Sequence, residues 1–170
     1  MPYATPTDLL LLFGATEMAG LARSDHIPPD VHVSGELMEL TVSGGSRSAY
    51  TADEQTAADH CLSRMLFVLG EASLHMDSYL GSRYALPLAA GTVGANPLKT
   101  VCGDLARHAL DDDSTDKATA ARHADAIRWL EKVAAGQILL STPLNPNQVT
   151  LPRCVATTPG VGFFADTKGY

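Results

Sequence analysis

The run Asp111-Asp112-Asp113-Ser114-Thr115-Asp116 is the densest set of oxygen ligands in the chain, and hard cations such as calcium are bound through oxygen. Asp111, Asp113 and Thr115 fit the first, third and fifth positions of a calcium loop. The pattern then fails, because the glycine needed at the sixth position is Asp116 and the bidentate glutamate needed at the twelfth is Arg122. A solvated turn is the simpler reading, with negative charge that favours the N-terminus of the next helix. The six histidines are His26, His32, His60, His75, His108 and His123, and no two share a helix face at the i, i+4 spacing of helical zinc sites. Cys61, Cys102 and Cys154 form no C-x-x-C pair and read as reduced thiols, as in a cytoplasmic setting. Cys61 and Cys102 fall on apolar stripes, where a thiol behaves as a small hydrophobe. Gly91-Thr92-Val93-Gly94 precedes a helix but lacks the G-K-[ST] of a phosphate loop, so it reads as a connector. No cofactor or metal is expected.

The elements that position these residues are mostly helical. Thr5-Pro6-Thr7-Asp8 has a capping hydroxyl, a first-turn proline and an early carboxylate, so a helix should start there and stop at Gly14. A second short helix is expected from Thr16 to about Arg23, before Pro28-Pro29. From Val31 to Tyr50 the apolar residues alternate through Val31, Val33, Met38, Leu40 and Val42 and close on Gly44-Gly45, which predicts a β-hairpin. Thr51-Ala52-Asp53-Glu54 is a capping box, and the long helix after it should run to about Leu80. Its apolar stripe reads as Leu62, Leu66, Leu69, Ala72, Met76 and Tyr79.

Asn96-Pro97 announces a third major helix, with Leu98, Val101, Cys102, Leu105 and Ala109 on one face. A fourth should be capped by Asp113 or Ser114 and run to Ala135, with Ala120, Ala124, Ile127, Leu130 and Ala134 inward and Gly136 as its stop. Tyr79 and Trp129 are expected to pack in the core. Beyond residue 140, Pro143, Pro146, Pro152 and Pro159 exclude regular helix, yet Leu144, Val149, Leu151, Phe163 and Phe164 are too apolar for a solvated linker. The expected architecture is therefore mainly α: a bundle of about four to five helices over residues 1–140, a hairpin inserted at about 28–50, and an extended apolar tail over 141–170.

Charge and length narrow the function. Twelve Lys and Arg against nineteen Asp and Glu leave a net charge of −7 over 170 residues. Such a field repels phosphate backbones and disfavours nucleic-acid binding as the main task. The longest apolar run, Leu9 to Phe13, is far short of the roughly 20 residues that span a bilayer, so neither membrane nor export is expected.

Residues 76–88, Met76-Asp77-Ser78-Tyr79-Leu80-Gly81-Ser82-Arg83-Tyr84-Ala85-Leu86-Pro87-Leu88, resemble the signature of the Mu-like prophage neck proteins. Tyr3-Ala4-Thr5 with Asp8-Leu9 and Phe13-Gly14 resembles the opening of that family. Pro97-Leu98 with Cys102, Asp104-Leu105-Ala106-Arg107 and Leu110 resembles its middle helix, and Ala126-Ile127-Arg128-Trp129-Leu130 with Gly136 its last. Together these cover about residues 1–26 and 58–140. The chain departs from the family pattern in the segment between Pro28 and Tyr50 and in the longer tail from Ser141.

The resemblance implies a structural head-tail connector with no enzymatic activity. Such a protein forms a homo-oligomeric ring of twelve copies beneath the phage portal, joins it to the next neck or tail component, and lets the genome pass through its channel without specific binding. It is assembled in the bacterial host cytoplasm and resides in the virion at the head-tail interface. A strongly acidic chain suits a channel, since added positive charge would grip passing phosphates. The residues expected at interfaces are Phe163, Phe164 and Tyr170 as tail anchors, Arg83 and Tyr84 at the turn after the long helix, and Leu40 and Val42 on the hairpin edge. The rival reading is a small helical enzyme or metal-binding regulator with a site from His75, His108, Cys102 and Asp111 to Asp113.

Overall fold

The helices start where short-range capping is available. The structure is a computed structural model and describes residues 2–24, 26–95, 97–111 and 117–141. Helix α1 (Pro6–Phe13) is opened by Thr5, whose hydroxyl accepts from the Asp8 N–H while the Asp8 carboxylate accepts from the Thr5 N–H at 2.8 Å. Gly14, at φ 92°, ends it in a backbone conformation that glycine adopts without strain. Helix α2 (Ala15–Leu21) follows directly. Helix α4 (Ala52–Leu80) has the Thr51–Glu54 capping box and, with 29 residues, is about 44 Å long.

The expected hairpin does not form; no strand occurs among the described residues, and Gly35–Ser43 is helix α3. Ser34 caps it by accepting from the Leu37 N–H at 3.1 Å, and Gly44 closes it in the left-handed region at φ 71°. Glu36-Leu37-Met38-Glu39-Leu40 is made of strong helix formers. The alternation of Met38, Leu40 and Val42 is overruled by the helical pair Leu37 and Met38, both 0% exposed. Leu40 and Val42 are accordingly half-buried on a helix and offer no strand edge for pairing.

Helices α5 (Ala90–Ala95), α6 (Leu98–Leu110) and α7 (Lys117–Ala134) complete seven helices among the described residues, more than the four or five expected. The extra two are α3 and α5, the latter occupying the glycine-rich segment read as a connector. Pro97 stands at the cap of α6 rather than in its first turn, while Asn96 and the expected caps Asp113 and Ser114 lie outside the described residues. Helix α4 is the axis of the bundle: α3, α6, α7 and α1 pack on it, α2 packs on α3, and α6 packs on α7.

The core is built from Leu, Ala and methionine. Met18, Met38, Met65 and Met76 are all fully buried, where their unbranched thioethers fill irregular space between helices. Each such side chain contributes about 1.5–3 kcal/mol of burial free energy. On α4 the buried stripe is Ala58, Cys61, Met65, Leu69, Ala72, Met76 and Leu80. Leu69, Ala72 and Met76 were expected there; Leu62 and Tyr79 are half-buried and Leu66 is exposed. On α7 the inward residues are Thr119, Ala126, Leu130 and Val133; Leu130 was expected there and Ile127 is partly buried, while Ala120 and Ala124 face water. Alanines are cheap on either side of a helix, so they mark no face. Trp129 is half-buried against the core.

Candidate functional site

The residues that carry the family resemblance meet in two places, both on α4 or just beyond it. In the first, the Tyr3 N–H donates to the Ser73 hydroxyl at 3.1 Å and the Tyr3 phenol donates to the Asp77 carboxylate. Ser73 in turn donates to the Leu69 carbonyl at 2.7 Å and lies 3.6 Å from the Cys102 sulfur. Burial, and then the Asp77 carboxylate, push the Tyr3 phenol well above its ordinary range, so it stays a hydrogen-bond donor. This polar seam ties the N-terminal segment, α4 and α6 together.

The second junction lies past the end of α4. The Tyr84 hydroxyl accepts from the Leu140 N–H at 3.0 Å, and Tyr84 and Leu140 are 1% and 5% exposed. Gly136, at φ 77°, ends α7; a Cβ there would meet an Arg83 nitrogen at 1.8 Å, so the guanidinium packs directly on the glycine. Arg83 and Tyr84 thus fix the segment 136–140 against the turn after α4. The other expected interface residues, Phe163, Phe164 and Tyr170, lie outside the described residues.

Of the rival constellation, His75 and His108 both stand near His123. Cys102 is 0% exposed in the polar seam, His75 sits beside Tyr79 at 5.5 Å between ring centres, and Asp112 and Asp113 lie outside the described residues. Burial pushes the Cys61 and Cys102 thiols up, which keeps them protonated and poor nucleophiles. His108 on α6 stacks instead on His123 of α7, with ring centres 4.0 Å apart. Burial, followed by the nearby charges of His108 and His75, holds His123 below the usual imidazole value. Among the described residues no three His, Cys, Asp or Glu side chains group to hold a metal, and no helix is long and apolar enough to cross a membrane. A cavity of about 140 Å³ lies beside His26, Ile27, Asp53 and His60, and a more open one of about 420 Å³ lies beside Gly20, Arg23, Ser24, Ile27 and Pro29.

Neither the Tyr3–Ser73–Asp77 seam nor the histidine stack was reachable from spacing, since each joins residues far apart in the chain. A single signal was available: Ser73 is the one polar residue within a buried apolar stripe.

What does stand open is one face of α4. Leu66, Phe67 and Leu74 are 51%, 67% and 65% exposed, and between them Gly70 has open space where a Cβ would point. Leu66, Gly70 and Leu74 recur at four-residue steps, with Phe67 beside them, so they share a surface. On α1, Leu11 is 81% exposed.

The described residues therefore define a helical protein with buried, protonated thiols, two internal staples at the C-terminal end of its longest helix, and an uncovered apolar patch. The chain belongs to the bacteriophage Mu gp36 family, whose model matches residues 3–156 and runs through both the 28–50 segment and the start of the tail. It is similar to Mu-like prophage FluMu protein gp36 of Haemophilus influenzae, 44% identical over 72 residues, which are 42% of this chain and 49% of that protein. It is also similar to Gene product J of Escherichia phage Mu, 36% identical over 69 residues, 41% of this chain and 47% of that protein. The matched stretch spans about half the length of each relative.

Proposed function

We propose that this phage protein is a structural neck component: a head-tail connector that forms a ring of twelve copies and joins the portal to the next neck or tail protein. The ring encloses a channel through which the genome passes without specific contacts, and its place is the head-tail interface of the virion. The observation that carries this reading is the uncovered face of α4, because contiguous exposed apolar side chains on a soluble helical protein mark surfaces made to be covered by another. The acidic balance of −7 suits a channel that must not hold DNA.

In this reading the side chains divide their work. Phe163, Phe164 and Tyr170 anchor the tail on a partner, as aromatic residues do at interface centres. Arg83 and Tyr84 act from inside by fixing the 136–140 segment from which that tail departs. Leu40 and Val42 present the remaining apolar edge of α3. The test is co-sedimentation of the purified chain with purified portal rings. Full-length protein should bind, and removal of residues 141–170 should abolish binding while leaving the helical circular-dichroism signal in place. Undiminished binding by the shortened chain would refute the tail's role.

A further inference from the structure

We propose that in the unassembled protein the outer face of α4 is covered by the chain's own C-terminal segment, residues 142–170, so that two apolar surfaces shield each other until a partner displaces them. The face is a shallow notch at Gly70 walled by Leu66, Phe67 and Leu74. Left in water, these three side chains keep apolar surface exposed beside the exposed Glu71.

The occupant follows from where the remaining chain begins and how long it is. The last buried anchor before it is Leu140, bonded to Tyr84, and Tyr84 lies four residues past the end of α4 at Leu80. From Leu80 back to Phe67 is 13 residues of helix, or about 20 Å. The 29 residues from 142 to 170 reach up to about 95 Å if extended and average about 30 Å as a coil, so the notch is within range in either state. Their chemistry matches: Leu144, Val149, Leu151, Val155, Phe163 and Phe164 stand among only three charged residues, Arg153, Asp166 and Lys168. A tether of this length holds the segment at an effective concentration near the millimolar range, which favours the chain's own segment over that of a second copy at micromolar protein.

This seat does not rest on the neck assignment, and its test involves no portal. Phe67 is replaced by the photo-reactive p-benzoylphenylalanine in the full-length chain, and equal amounts of unlabelled and nitrogen-15-labelled protein are mixed, irradiated and mapped by mass spectrometry. The expected products join residue 67 to peptides within 142–170 of the same isotopic label, several-fold above those formed by the same probe at the exposed Leu11. A probe at Leu74 repeats the measurement, so that misfolding of one variant leaves the other. Isotopically mixed products would make a second copy the occupant, and products confined to other segments or no product at either position would leave the face open. Either result overturns the proposal.

Discussion

The inner face of α4 is apolar along nearly its whole length, whereas the outer face carries one apolar patch among exposed polar residues such as Ser63, Glu71 and His75. One face carries Met65, Leu69, Met76 and Leu80, each at most 1% exposed; the other carries Leu66, Phe67 and Leu74, each more than half exposed. Apolar surface on either face gains stability from cover. The described fold supplies it on one side through α3, α6, α7 and α1. The inner face therefore sets stability, and the outer patch is left uncovered by the described residues.

Substitutions can break that contrast. Leu69→Ala empties fully packed space and should cost about 2–5 kcal/mol in urea unfolding. Loss of less than 1 kcal/mol would mean that the inner face is not close-packed. Tyr84→Phe removes the acceptor for the buried Leu140 N–H and should cost about 1–3 kcal/mol, with faster hydrogen exchange over residues 136–141 as its local signature.

The third effect is a pH dependence. Because folding holds His123 below its ordinary value, the unfolded chain takes up its proton first. That contribution is complete above about pH 6.5 and is lost as the pH falls through the lower folded value. The urea midpoint should drop as the pH falls below about 6.5 in the native chain and drop less in His123→Gln. Asp8 acts in a lower window, since hydrogen bonds from Lys99 and Thr5 outweigh the burial that opposes them and hold its carboxyl below the usual range. Its contribution is lost only below about pH 4.

The smallest stability effect sharpens the contrast most. In the chain shortened to residues 1–141, where no tail can cover the face, Phe67→Ser should change the unfolding free energy by no more than about 0.5 kcal/mol. A large loss of stability would place Phe67 in the core.

The sequence announced helix ends better than helix faces. Thr5 with Asp8, Thr51 with Glu54, Gly14 and Gly136 act within one turn, so their hydrogen bonds and turns can be read from neighbours along the chain. Faces depend on which helix lies alongside. Leu66 satisfied the helical period yet points outward, and on α7 Leu130 was legible but interspersed alanines disguised its neighbours Ala126 and Val133. The hairpin expectation failed because the alternation of Met38, Leu40 and Val42 is too short to exclude a helix, and the cap at Ser34 with the left-handed Gly44 decided for one. The Met76–Leu88 motif did identify the family. Its physical sense emerged only in three dimensions, where Asp77 receives the Tyr3 phenol and Arg83 and Tyr84 hold the end of α7.

The most direct test of the connector assignment is electron cryomicroscopy of the intact virion. The account predicts a ring of this chain, its helices fitting the density, at the vertex where the tail joins the capsid. A neck reconstructed to side-chain resolution and built entirely from other proteins would contradict it.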